Sequence, residues 1–290
     1  MKKTLLAAAL LAVGGSATAA PFYMDIGSNF DGQIAPAGDK VCDTCTSVKD
    51  ELLFTYESST TIVDNDISGT INAGDTIITD GGLAVGGLST NQITGFSPNE
   101  VGGSDSNNNY GSAFVNDWVM SFSVTGLTGV VTGVSGGVPQ FAYGPGLLEL
   151  FVSFDDGGSY NNFMDINVTG GGATGVSTIL TGTADFTNVD AGFNDLFHST
   201  TYSCMGDDSF FGIWSTCGEG AGEMLAINFF ASFDTNIFVS DFTDNGDGTF
   251  SLTSNHDGSA TFAVPEPSTL ALLGGSMLLL GGMARRNKKS

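Results

Sequence analysis

Hydrophobic and polar residues alternate along most of this chain. The clearest run is 114–124, where Trp118, Met120, Phe122 and Val124 fall on one face and Val119, Ser121 and Ser123 on the other. A period of two with one apolar face is the pattern of a half-buried antiparallel strand. Leu148, Leu150, Val152 and Phe154 repeat it against Glu149, Phe151 and Ser153, as do Ile227, Phe229, Ala231 and Phe233 within 225–233. Shorter runs predict strands at 22–26, 51–57, 60–63, 75–79, 163–168, 176–180 and 184–189. Between the strands lie breaks rich in Gly, Asp and Asn. Residues 155–158, 244–248 and 255–258 predict turns, where Asn and Gly supply positive φ, and 81–109 predicts a long polar loop. Phe250 and Leu252 are placed facing inward between the last two turns. Residues 20–263 hold no helical period longer than about two turns. The expectation is an all-β fold, an antiparallel β-sandwich or jelly-roll-like ectodomain.

Both ends break this pattern. Met1, Lys2 and Lys3 form a positive start, 5–13 is apolar, and Ala17-Thr18-Ala19 is a small-residue cleavage site, together a signal peptide over 1–19. Cleavage after Ala19 leaves Ala20 first; cleavage after Ala20 would put Pro21 beside the scissile bond. At the other end, residues 264–290 form a tail in three parts. Pro265, Glu266 and Pro267 come first, then an uncharged apolar run at 270–284, then Arg285, Arg286, Lys288 and Lys289 within a basic end at 285–289. As a transmembrane helix the run would span about 22 Å, short of the ~30 Å hydrocarbon core. Flanking residues and snorkelling arginines close part of that gap. The basic cluster should stay cytoplasmic, leaving the motif and the body outside.

Setting the ends aside changes the charge. Between the signal and the tail the basic residues are Lys40 and Lys49 alone, against 30 acids, a formal charge of −28. Phosphate would be repelled, so a nucleic-acid partner is excluded. Disorder is countered by 22 Phe, mostly in the alternating segments.

Four cysteines in an exported chain suggest two disulfides. Of three connectivities, Cys42–Cys45 with Cys204–Cys217 needs no long-range alignment. A redox Cys42-x-x-Cys45 pair would want a helix N-terminus, and a four-Cys zinc site competes with an oxidising compartment. Gly133-Val134-Ser135-Gly136-Gly137 has the letters of a nucleophile elbow but lacks the following helix. His198 and His256 are the two histidines, the latter placed in a turn. Asp244, Asp247 and Asp257 lie near turn glycines without calcium-loop spacing, and solvated turns explain them better. The residues therefore point to no catalytic group, no metal site and no cofactor.

The tail of Pro265-Glu266-Pro267, apolar run and basic end, in that order at the C-terminus, resembles the PEP-CTERM sorting tail of Gram-negative surface proteins. The resemblance covers about a tenth of the chain. It implies an exosortase-type membrane protease as partner, transient residence in the inner membrane as a single-pass precursor, and release to the cell surface or extracellular matrix. It further implies a structural or adhesive role in biofilm or floc, with exopolysaccharide as a possible partner. The alternative is a secreted carbohydrate-binding module or hydrolase on a β-sandwich, using Tyr110, Tyr143, Tyr160 and Trp214. Exposed aromatics in a plane would favour it; buried ones would favour the structural role.

Overall fold

A computed structural model describes residues 19–26, 41–42, 44–87, 90–98, 118–155, 158–173, 177–223, 225–234 and 237–264. The predicted signal peptide up to residue 18, the sorting motif and apolar run from 265 onward, and Tyr110 lie outside the described residues.

The described residues form thirteen strands: β1 (Phe22–Met24), β2 (Lys49–Val63), β3 (Thr76–Gly82), β4 (Gln92–Pro98), β5 (Val119–Ser135), β6 (Val138–Tyr143), β7 (Gly146–Ser153), β8 (Asn161–Ala173), β9 (Ser177–Asp185), β10 (Phe197–Ser199), β11 (Asn228–Asp234), β12 (Thr243–Asp244) and β13 (Thr249–Ala263). Among the described residues one α-helix, α1 (Phe210–Cys217), joins them. All ladders are antiparallel, and they run β2-β3-β5-β6-β8-β9-β11-β13. Strand β13 then returns to β2, its residues 249–260 opposite residues 52–63. The all-β expectation holds, but the architecture is a closed eight-stranded barrel with extra strands, not two stacked sheets. Alternation reports that one face of a strand is buried; it does not report whether the first and last strands meet.

Closure also explains the other departures. Residues 51–57 and 60–63 are one strand, because Tyr56, Ser58, Thr60 and Ile62 all face inward and β13 pairs across the polar middle. The long β5 continues past Val124 through Gly126 and Gly129 to Ser135, where Gly136 (φ 61°) and Gly137 (φ 82°) turn the chain into β6. Strand β4 occupies part of the predicted polar loop by pairing with the lower half of β2. Asn255-His256-Asp257-Gly258 is no turn: it lies mid-β13, with Gly258 between Phe54 of β2 and Phe233 of β11. A Cβ there would collide with the Phe233 ring, so this glycine serves a close approach.

The barrel is packed from both ends. At one end, β1, β10 and α1 form a plug in which Phe22, Phe197, Phe210 and Phe262 are all buried. Phe22 stacks on Phe197 at 5.0 Å between centroids, and Phe210 meets Phe262 edge-on at 5.3 Å. Ser209 caps α1, its Oγ accepting from the Gly212 N–H at 2.9 Å. Disulfide Cys204–Cys217 ties the helix end to the preceding loop, and Cys42–Cys45 staples the segment leading into β2. At the other end a smaller cluster of Ile62, Ile71, Ile77, Phe141 and Phe250 closes the mouth. Replacing the fully buried Phe22 with Ala should cost ~3–5 kcal/mol through lost burial and an unfilled cavity. Urea unfolding monitored by tryptophan fluorescence checks this; a loss below about 1 kcal/mol would mean the plug is peripheral.

Candidate functional site

Between the two apolar clusters, the barrel encloses a cavity of ≈ 50 Å³ lined by Tyr56, Ser58, Thr79, Phe122, Tyr143 and His256 among others. Ser58, His256, Thr79 and Tyr143 are paired there with one another or with backbone. Ser58 Oγ lies 2.8 Å from His256 Nε2, and His256 Nδ1 lies 3.1 Å from the Asp234 carbonyl. A carbonyl only accepts, so Nδ1 carries the proton and Nε2 accepts from Ser58. Burial lowers the His256 pKa and keeps the ring neutral. Burial pushes the Tyr143 hydroxyl up to about 12, against the lowering effect of its 3.0 Å contact with Thr79 Oγ1. These groups specify the interior of a barrel.

The mouth opposite the plug carries a different arrangement. The β2–β3 connection reads Asp64-Asn65-Asp66-Ile67-Ser68-Gly69-Thr70-Ile71-Asn72-Ala73-Gly74-Asp75. Oxygen-bearing residues at positions 1, 3, 5, 7, 9 and 12 of a twelve-residue loop, with Gly at 6, are the ligand spacing of an EF-hand-type calcium loop. Here those positions are Asp64, Asp66, Ser68, Thr70, Asn72 and Asp75, with Gly69 at φ 74°. Carboxylate oxygens of Asp64, Asp66 and Asp75 lie within 4.8 Å of one another. Asp64 and Asp75 are buried, and Ile71 anchors the loop into the apolar cluster at the mouth.

The loop is pre-ordered. Asp64 Oδ1 and Oδ2 accept from the N–H groups of Ser68 (3.1 Å) and Gly69 (2.7 Å). Asp75 Oδ1 and Oδ2 accept from those of Asn65 (3.1 Å) and Asn72 (2.8 Å). Asn72 Nδ2 sits 2.8 Å from Ser68 Oγ, 3.1 Å from the Thr70 carbonyl and 3.3 Å from Asp66 Oδ1. Four oxygens, counting Asp66 Oδ2 at 3.5 Å, thus surround one amide nitrogen that has two hydrogens. The donor set is all oxygen and rich in carboxylate, which fits a hard divalent cation. Asp at position 12 departs from the usual Glu and shortens that ligand's reach.

The other sequence candidates are placed apart. Asp244 and Asp247 cap their own turn, accepting from Gly246 N–H and from Thr249, while Asp257 lies on the outer face of β13 beside Thr55. Ser135 ends β5 at an exposed hairpin, with neither histidine on its hairpin. His198 contacts Asp208 at 3.1 Å and stacks on Tyr23, which donates to the same carboxylate at 2.8 Å. In the alternation pattern 64–75 is a Gly- and Asp-rich break between two short strands; its twelve-residue register is the signal that marks it as a loop of this type.

Two outcomes follow for this site and the interior. Calcium should raise the unfolding free energy of the full chain, by about 2.7 kcal/mol when free ion is 100 times Kd. Asp66→Ala should remove the loop's share of that gain, measured by thermal unfolding with calcium and with chelator; an equal gain in the variant would contradict the assignment. Separately, His256 is held neutral when folded, so unfolded chains bind the extra proton. Stability should fall as pH drops below about 6.5, by at most ~1.4 kcal/mol per unit. His256→Gln should flatten that window in a comparison of denaturant midpoints between pH 7.5 and 5; an unchanged slope would refute it.

Comparison with curated proteins finds no match, and comparison with solved structures finds none either. A family model does match the C-terminus: the PEP-CTERM protein-sorting motif, over residues 263–289. The matched segment begins at the last residue of β13 and contains Pro265, Glu266, Pro267, the apolar run and the basic residues. Among the described residues no helix is long and apolar enough to cross a membrane; residues 270–284 lie outside them. This chain carries a PEP-CTERM protein-sorting motif at its C-terminus, the mark of an exported protein handled by exosortase.

Proposed function

We propose that this protein is a structural component of the cell surface or exopolysaccharide matrix, delivered as a membrane-held precursor and released by cleavage at its tail. The sorting motif at 263–289 carries the reading. The fold's boundaries support it. Val264 is still buried, and the motif residues start immediately afterwards, so loss of 265–290 would leave every barrel strand intact. At the other end, the Ala20 N–H donates to the Phe262 carbonyl at 2.7 Å. Cleavage after Ala19 keeps that bond; cleavage after Ala20 removes it.

The outer wall supports a matrix role by its chemistry. Ser59 and Thr61 of β2 stand opposite Thr253 and Ser251 of β13, and Thr181 and Thr183 line β9. Hydroxyl-rich strands offer hydrogen bonds to hydrated polymer. The carbohydrate-module alternative fares less well: Tyr143 is inside the barrel, and Trp214 packs against Phe211 and Phe186. A calcium-filled 64–75 loop would stiffen the mouth that it closes, in the extracellular medium, where the ion is abundant.

Replacing Pro265, Glu266 and Pro267 with Ala should leave export intact and trap the full-length precursor in the inner membrane. Cell fractionation with immunoblotting reads the result. Normal release of the variant would reject motif-directed cleavage.

A further inference from the structure

The outer wall of the barrel holds a second concentration of oxygen ligands, unrelated to the 64–75 loop. Strand register sets Glu149 of β7 directly opposite Asp165 of β8, and Asp165 directly opposite Asp185 of β9. Like charges in directly opposed positions destabilise a sheet. No arginine or lysine of the described residues stands in this row; the one such residue, Lys49, is on β2. Asp165 is 5 % exposed, Asn162 9 %, and Glu149 is half-buried.

Asn162 points into this group. Its Nδ2 donates to Asp165 Oδ1 at 2.7 Å, while its own Oδ1 is buried with no hydrogen-bond partner. An orphaned carbonyl oxygen beside two carboxylates is costly unless something positive meets it. The other groups around the row do not supply that charge. Asp185 accepts from Asn167 Nδ2 at 2.8 Å and from Thr187, and Asp190 accepts from the Asn162 backbone N–H at 2.7 Å. Ser123 of β5 stands opposite Glu149 and is neutral. Every titratable neighbour is therefore acidic.

We propose that Glu149, Asp165 and the Asn162 carbonyl oxygen form a second divalent-cation site, for a hard ion of the calcium class completed by water. Two carboxylates and one amide oxygen match the ligand type of such ions, and water completes the coordination from the side of the half-buried Glu149. Burial, then the Asp165 carboxylate, push the Glu149 carboxyl up. Burial and Asp185 push Asp165 up, against the lowering bond from Asn162. The opposed carboxylates and the unpaired Asn162 oxygen are what a bound cation would satisfy. The site would brace β7 against β8 halfway along the barrel wall.

The test uses full-length protein in detergent, with calcium as the probe and equilibrium dialysis at pH 7.5 as the readout. In an Asp66→Ala background, which disables the 64–75 loop, one calcium per chain should remain. Adding Glu149→Gln, a substitution at a half-buried position that leaves size and packing unchanged, should remove it. Asn162→Ala, which removes both the amide oxygen and the Nδ2 donor to Asp165, should also lose it. Retention of the ion in the Glu149→Gln double variant, or no ion bound in Asp66→Ala, would overturn the proposal. The two sites are separable: if the wild type binds one ion that survives Asp66→Ala and disappears with Glu149→Gln, the loop assignment fails and the wall site stands.

Discussion

The structure depends on the pairing of β2 with β13, twelve residues on each strand brought together across nearly the whole length of the fold. Without that ladder the remaining strands would form an open sheet with two long unpaired edges, an aggregation hazard for a secreted chain. With it, every stave has two neighbours, and the inward faces of Leu52, Phe54, Tyr56 and Ile62 meet those of the opposite wall. Closure also fixes what can lie inside. An eight-stranded barrel leaves just enough room for side chains to fill, and here aromatic and aliphatic side chains fill it except for the small cavity around Ser58 and His256.

The same ladder organises the ends. Strand β13 finishes at Ala263, beside the residues that begin the described chain, so the two segments expected to be processed leave from one part of the fold. The plug of β1, β10 and α1 closes one opening, with two disulfides nearby to hold non-regular segments. The 64–75 loop closes the other through Ile71, and its carboxylates are arranged by the backbone before any ion arrives. A protein poor in basic residues cannot cross-brace its acids with salt bridges, and oxygen-coordinated cations are the compensation open to it.

Much of this was readable in the residues. Trp118, Phe122, Leu148, Leu150, Phe229 and Phe233 were assigned inward by alternation and are buried. Both cysteine pairs follow from short spacing, and the tail was identifiable from the order of its three parts. What could not be read is long-range. Gly258 looks like a turn residue because local chemistry cannot show the Phe233 ring that demands it. His256 was displaced into a turn for the same reason. The Glu149–Asp165–Asp185 row requires knowing register across three strands. The 64–75 loop is the exception: its signal is local, a twelve-residue register inside a break between two short strands.

The central claim is that two processing events bracket a complete barrel. Intact-mass spectrometry of the protein released from cells tests it most directly. The account predicts a chain that begins at Ala20 and ends upstream of the apolar run at 270–284, with both disulfides formed. A released protein still carrying residues 270–290 would contradict it, and the tail would then be a plain membrane anchor.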